Sequence, residues 1–194
     1  MSASVWYDEV DAGLLKELQQ TVRIKNSGGF LVPMRDEAFV VRKPEEEFSF
    51  ETFPCVSIYN LSSKYDPTRH NPETVVVSRD ITNKVAIVED SATPFNLSYQ
   101  IDFWAKYQSD MNSMIKTWLR NHFRQFNLTV IDDGGAKSSC NCIMKGDVKK
   151  SDLVLGGERL FHSIINLLIW VELNDEIRYN VPMVIKVNPD FRTI

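Results

Sequence analysis

Cysteine is scarce in this sequence, and its count is odd. Cys55, Cys140 and Cys142 are the three cysteines among 194 residues. An odd count of this size cannot supply the disulfide framework of a small secreted domain. The length makes such support unnecessary, because 194 residues can bury a hydrophobic core in one domain. We therefore expect residues 1–194 to form a single domain that is made and kept in a reducing cytosol.

Long apolar runs and a secretion signal are missing as well. The most apolar run, Ile164 to Val171, is far shorter than the roughly 20 residues that a membrane-spanning helix needs. The first seven residues lack a positive region followed by an apolar one, and Asp8, Glu9 and Asp11 come directly after them. We expect neither a signal peptide nor a membrane partner.

Positive charge is not in excess either. The formal net charge is -4, from 22 basic and 26 acidic residues. A chain with this balance has no general basic field, which argues against binding of nucleic acid by the whole surface. Only local basic patches remain available for such a contact.

Motifs for catalysis or metal binding are absent. The sequence contains no G-x-S-x-G elbow, no G-x-x-x-x-G-K-[ST] loop and no G-x-G-x-x-G. The Cys140-Asn141-Cys142 triplet lacks the usual two-residue spacing and the further ligands of a zinc site, so we interpret its thiols as surface groups in a loop. His122 and His162 are interpreted as packing or surface histidines. We expect no catalytic residue, no metal, no cofactor and no enzyme activity.

The most regular stretch predicts a strand that leads directly into a helix. Apolar and polar residues alternate from Phe95 to Phe103, as on a half-buried strand. From Ser109 to about Arg124 the period becomes that of an amphipathic helix. Its apolar stripe consists of Met111, Met114, Ile115, Trp118, Leu119 and Phe123. We expect the strand and the helix to share one core.

Shorter patterns place the other elements. A first helix is predicted over residues 8–22 with Asp8 as its N-cap, and Glu45–Glu47 form an acidic loop. The prolines in residues 62–73 predict a loop there. Strands are predicted at 30–32, 38–41, 55–59, 75–77, 85–88 and 128–131, with a turn at 80–83 joining the fourth and fifth. The whole predicts an α+β fold, with a mixed, mainly antiparallel β-sheet flanked by an N-terminal helix and a central amphipathic helix.

The last third of the chain is less regular. Residues 134–157 mix polar residues with scattered apolar ones, which favours a long loop or a protruding hairpin. Residues 160–173 are compatible with a helix, but their isoleucine and valine content favours a strand. The Asn174-Asp175 turn and the pattern at 177–181 predict a hairpin with a following strand, which Pro182 places at an edge or a bulge.

Basic residues mark the candidate contact regions. The predicted outer face of the long helix carries Lys106, Lys116, Arg120 and Arg124 against one acid, Asp110. Such a face favours contact with an acidic partner or with DNA phosphates, and the acidic loop of an identical subunit in a ring has the opposite sign. The positive groups on the predicted loops are Arg69, Lys137, Lys145, Lys149 and Lys150. The alternative, that all of these are ordinary solubilising charges, stays open.

The order of elements, with T-P-F-N-L-S-Y-Q-I-D-F-W-A-K running straight into a helix, resembles the tail terminator (tail completion) proteins of tailed bacteriophages. The resemblance covers most of residues 8–188. It implies a structural virion protein that is assembled in the host cytoplasm and located at the tail or neck. Such a protein caps the tail tube as a hexameric ring, ends tail polymerisation and joins the tail to the head.

The partners that the resemblance implies are other copies of the chain, the tail tube protein and a head-tail connector or neck protein. Sheath protein is added in a contractile tail, and DNA passes through the lumen of the ring. Two alternatives remain. The first is another neck adaptor or a baseplate protein, and the second is a small-ligand-binding or enzymatic α/β domain, which would need a deep pocket with convergent polar groups.

Overall fold

The computed structural model describes residues 6–42, 52–71, 73–131, 135–155, 158–173 and 178–182. The predicted acidic loop Glu45–Glu47 and the Asn174-Asp175 turn lie outside these residues. The helices are α1 (Tyr7–Thr21) and α2 (Gln108–Asn121), and a 3-10 turn spans Asp36–Ala38. The strands are β1 (Arg23–Lys25), β2 (Leu31–Pro33), β3 (Phe39–Val41), β4 (Cys55–Tyr65), β5 (Thr74–Asp80), β6 (Val85–Asp90), β7 (Thr93–Ala105), β8 (Gln125–Ile131), β9 (Lys137–Lys150), β10 (Leu153–Leu155), β11 (Glu158–Leu173) and β12 (Arg178–Pro182).

A seven-stranded sheet forms the body of the protein. Its order is β3-β4-β7-β11-β9-β8, and the short β10 pairs with β11 alone. The pair β3 and β4 is parallel, and every other pair in this sheet is antiparallel. The prediction of an α+β fold with a mixed, mainly antiparallel sheet and two helices is therefore confirmed.

Both helices pack on one face of this sheet and bury a single core with it. The alternation in β7 directs Leu97, Tyr99, Ile101 and Phe103 to that face, where none of the four side chains is exposed. The helices cover them with Val10, Leu14 and Leu18 from α1 and Met111, Met114 and Trp118 from α2. The predicted strand and helix thus share one core, and neither helix is long and apolar enough to span a bilayer.

The helix α1 lies very close to strand β8. A Cβ atom added at Gly13 would come 3.2 Å from the carbonyl oxygen of Thr129, so the lack of a side chain permits the approach. At the start of the helix, the backbone N–H of Trp6 donates to Oε2 of Glu9 at 3.0 Å. The prediction of Asp8 as the N-cap is wrong, because Trp6 holds the cap position and Asp8 lies in the first turn.

The helix α2 ends earlier than its apolar stripe predicts. It stops at Asn121, and Arg124 has the left-handed φ of 69°. Phe123 is consequently 62% exposed and does not belong to the core. The placement of Arg124 on the outer helix face is wrong for the same reason, since the chain has left the helix before it reaches this residue.

The segment predicted as a long loop or a protruding hairpin at 134–157 is mostly strand. Within it, β9 pairs with both β8 and β11, and β10 continues the pairing with β11. The register shifts between Ile164 and Asn166, where three residues of β9 from Gly146 stand against one of β11, and Gly146 takes a φ of 74°. This bulge breaks the alternation that would have identified the strand.

A second, three-stranded sheet has the order β12-β6-β5. Strand β11 confirms the predicted strand at 160–173, but the predicted hairpin of β11 with β12 is wrong, because β12 pairs with β6. Pro182 does lie on an edge strand, as predicted. The loop predicted at 62–73 begins later, because residues 62–65 belong to β4.

Candidate interaction surfaces

A groove of about 570 Å³ runs between helix α2 and strand β9. We call it the α2–β9 groove. Its apolar lining consists of Met111, Ile115, Leu119, Phe123 and Val148. Phe123 is the most exposed of these side chains, because the helix ends just before it. The groove offers apolar area at the surface, which is typical of a docking site.

Basic side chains border the α2–β9 groove. Lys116 and Arg120 are exposed and lie one helical turn apart on α2. Lys150 borders the groove from β9, because it pairs with Ser163 and shares the helix-facing side of the sheet with it. No ion pair joins Lys116 or Arg120 to a carboxylate anywhere in the described ranges. Two predicted contact residues of the helix face therefore remain available to a partner.

Three of the lysines predicted on loops, Lys145, Lys149 and Lys150, lie in β9 and on two faces of the sheet. Lys149 pairs with Ile164 and Lys145 pairs with Asn166. Directly opposed residues share a face, so both lysines lie on the side away from the helices, while Lys150 lies on the helix side. Loss of all three charges would therefore affect two separate surfaces.

The other predicted basic residues are scattered. Arg124 holds its guanidinium carbon 5.2 Å from the ring centre of Phe123, and Lys106 lies 5.8 Å from the ring centre of Phe53. Lys137 lines a different groove, between α1 and β8, where acids of α1 are also present. The predicted basic face of the long helix reduces to Lys116 and Arg120.

Arg69 is engaged within its own chain. Its Nε donates to Oδ2 of Asp66 at 3.0 Å, and its Nη2 donates to the carbonyl oxygen of Phe95 and to Oδ1 of Asn96. The guanidinium also lies over the ring of Trp170. Hydrogen bonds from Thr68, Arg69 and Asn96 hold the pKa of the Asp66 carboxyl well below its usual range. The contacts of Arg69 thus hold the turn that follows β4 against strand β7.

Two extensions of the fold expose apolar side chains that the sequence patterns did not single out, although the strand pair of the first, at 75–77 and 85–88, was predicted. The β5–β6 arm (residues 73–90) exposes every described side chain of β5, including Val75 and Val76, and its turn exposes 71% of Ile81. At the β10–β11 tip, Leu153 is 40% and Val154 is 74% exposed. The signal available in the sequence for the exposed arm was Ile81, an apolar residue inside the predicted turn at 80–83.

A buried polar network occupies the sheet face away from the helices. Asp102, only 1% exposed, accepts hydrogen bonds from Nη1 of Arg42 at 3.2 Å, Nε2 of Gln100 at 2.8 Å and Nε2 of His162 at 2.9 Å. The ring of His162 stacks on Trp104 with centres 3.6 Å apart. These contacts confirm the interpretation of His162 as a packing histidine.

His122 is a packing histidine as well. It is buried, stacks on Trp118 with ring centres 4.0 Å apart, and places Nε2 2.8 Å from Oε1 of Glu17. The contact joins α1 to the end of α2. In the described part of the chain, no three histidine, cysteine or acidic side chains lie together as a metal site would require.

The interpretation of Cys140 and Cys142 as surface thiols in a loop is wrong. Both are buried in β9, pointing into the core on either side of Asn141. Burial raises the pKa of the Cys140 thiol to about 11 and that of the Cys55 thiol to about 12. The pKa of Cys142 is raised for the same reason.

We predict that none of the three thiols reacts with an aromatic disulfide reagent in the folded protein at pH 8. The thiolate is the reactive form, and each pKa lies above that pH while each side chain is shielded. The same reagent should titrate all three groups at once in a denaturant. Fast labelling of the native protein at pH 8 would contradict the buried positions of these cysteines.

Comparison with known proteins finds similarity at the level of the fold. No family model and no curated protein matches the sequence. The fold is similar to the PVC sheath/tube terminator of an extracellular contractile injection system, determined by cryo-electron microscopy in the extended state. The TM-score is 0.49 and the sequence identity is 12%; the match covers all of this chain and 66% of the terminator.

Proposed function

We propose that this chain is a non-enzymatic structural protein of a phage-like tail particle. It ends the tail tube as a ring of identical copies and offers a surface to the neck. Its proposed partners are tube protein, sheath protein where the tail contracts, and a connector protein. The location that follows is the tail or neck of the particle, reached after assembly in the host cytoplasm.

The observation that carries the proposal is that two extensions of the fold expose apolar side chains. Val75, Val76 and Ile81 lie on the β5–β6 arm, and Leu153 and Val154 lie at the β10–β11 tip. Apolar side chains on such extensions contact water in an isolated subunit, which is unfavourable. They are buried when subunits assemble. An enzyme would instead collect polar groups around a pocket. The element order resembles that of tail terminators, and it therefore favours termination of the tail tube among the possible assembly roles.

Tube growth in the presence of the protein tests the proposal. Purified tail tube protein from the same particle is polymerised with and without this chain, and tube lengths are measured by electron microscopy. We expect shorter tubes with extra density at one end, because a capped end accepts no further tube subunit. Equal length distributions at a stoichiometric ratio would reject the terminator role, and binding only to a portal complex would favour a neck adaptor.

A pair of variants connects the test to the β10–β11 tip. Leu153→Asp with Val154→Asp should abolish capping while the melting temperature stays close to that of the wild type, because both side chains are exposed. Phe30→Asp is the matched control, since Phe30 is 72% exposed on another part of the surface. Normal capping by the tip variant would show that this tip is not the tube contact.

A further inference from the structure

An acidic residue of α1 lies at the margin of the helix face that packs on the sheet. Asp11 follows the fully buried Val10 and stands about one turn before Leu14, which is also fully buried. The Asp11 side chain as a whole is half-buried, but its Oδ1 atom is enclosed and makes no hydrogen bond. This oxygen has lost its contact with water without gaining a donor, which is unfavourable when the carboxyl is charged.

Two further polar atoms are enclosed on the sheet beneath α1. They are Oη of Tyr99, at the centre of β7, and Nδ2 of Asn60 on β4, and each lacks a hydrogen-bond partner. Asn60 and Tyr99 are directly opposed in the pairing of the two strands. Burial raises the pKa of the Tyr99 hydroxyl, and the neighbouring Asp11 carboxylate and Asn60 amide act on it as well. We call these three side chains the Asp11 cluster.

Within the described ranges, no positive charge balances the Asp11 cluster. On α1 itself, the like charge of Asp8 acts on the Asp11 carboxyl, and Tyr7 acts on the hydroxyl of the cluster. Strand β4 also carries Lys64, but it pairs with a residue of β7 that faces away from the helices. Strands β2, β3 and β8, which pack on α1, contain no titratable side chain. Helix α2 contacts α1 at Glu17, roughly two turns beyond Asp11.

We propose that the Asp11 cluster makes the packing of α1 on the sheet depend on pH, because the site accepts the protonated carboxyl of Asp11 and disfavours the ionised one. Burial raises the pKa of this carboxyl; the Tyr99 hydroxyl partly offsets the effect and the charge of Asp8 adds to it. A raised pKa in the folded state contributes stability that is complete below the ordinary value of 3.8 and is lost as the pH rises through the raised value. Helix α1 is therefore the element that opens more readily as the pH rises.

The variant Asp11→Asn tests the proposal, because the amide keeps the shape of the carboxyl and carries no charge. Melting temperatures of the wild type and the variant are measured at several pH values from 4 to 7.5. The variant minus wild-type difference should increase by about 2 °C or more over this range, since only the wild type ionises in the enclosed site. A difference that stays constant, or that decreases as the pH rises, would overturn the proposal.

The matched control is Asp8→Asn. It removes the same charge from the same helix, but the Asp8 side chain is exposed and its carboxyl lies in the first turn. The melting-temperature difference for this variant should change with pH by less than half as much as that for Asp11→Asn. Equal changes would assign the pH dependence to the net charge of the helix and would overturn the role of the Asp11 cluster.

Hydrogen exchange at pH 7.5 shows whether the effect is confined to α1. The opening constant of the α1 amides from Val10 to Leu14 should be at least about fivefold smaller in Asp11→Asn than in the wild type, the lower end of what an unpartnered buried group costs. The opening constant of the α2 amides from Met111 to Trp118 should change less than twofold. Equal changes in the two helices would overturn the claim that α1 opens on its own.

Discussion

Replacement of Trp118 by alanine should lower the free energy of unfolding by about 3–5 kcal/mol, the usual cost of a large-to-small change at a buried aromatic. Trp118 is fully buried in the core between α2 and the sheet. Its ring stacks on His122 and meets the edge of Phe126 at 5.7 Å between centres. The substitution removes apolar area and leaves a cavity among these rings.

Thermal and urea unfolding followed by circular dichroism measure this loss. For a domain of this size we expect a drop in melting temperature of roughly 6–20 °C. Phe123→Ala is the matched control, because the same sequence stripe contains Phe123 but the structure leaves it 62% exposed. Its free energy of unfolding should change by less than about 0.5 kcal/mol. Equal losses from the two variants would contradict the observed end of α2.

Removal of the Asp102 carboxylate should destabilise the protein by about 3–5 kcal/mol, as breaking a buried charged pair does. Three donors lose their common acceptor, namely the side chains of Arg42, Gln100 and His162. His162 is itself buried, so water cannot replace the missing oxygen there without cost. The loss of stability from Asp102→Ala should therefore exceed the loss from breaking any exposed ion pair.

Two further variants make this prediction specific. Asp102→Asn keeps the shape of the side chain and one acceptor oxygen. It should lower the free energy of unfolding by about half as much as Asp102→Ala does. Asp152→Ala should leave the free energy of unfolding close to that of the wild type, because its partner Arg159 is 64% exposed and solvent screens the pair. Chemical denaturation of the three variants ranks them, and a small effect of Asp102→Ala would show that the network adds little to stability.

The strand β7 and the helix α2 could be predicted because the spacing of their apolar residues shows directly which side chains enter the core. Every second residue from Leu97 to Phe103 faces the helices, as the alternation indicated. The end of α2 could not be found in the same way. A stripe of apolar residues continues through Phe123, and nothing in the local pattern announces the left-handed turn at Arg124.

Strand pairing was harder to predict than strand position. The patterns near 160–173 and 177–181 suggested neighbours, but β11 lies between β7 and β9 while β12 joins a different sheet. A sequence pattern describes the two faces of a strand and not the strand beside it. Strand β9 was predicted only as part of a long loop or a protruding hairpin, because the bulge at Gly146 and the lysines that follow it hide the alternation.

The candidate surfaces were predictable only in part. Lys116 and Arg120 follow from helical spacing and are exposed where expected. The groove beside them requires Val148 of β9, which is distant in sequence, and so only the fold brings its lining together. Arg69 shows the converse, because a basic residue in a predicted loop proved to be bound by Asp66 and Asn96.

The contact of α1 with β8 has a consequence for folding during synthesis. The helix ends at Thr21 and its partner strand begins at Gln125, so roughly a hundred residues separate them. At the usual rate of translation the ribosome needs about 5–20 s to make that length. Strands β3 and β4, which also contact α1, are made early in this interval, but the part of the helix that packs on β8 stays uncovered until its end. We expect folding to be slow, because the contact of α1 with β8 joins segments that are distant in sequence.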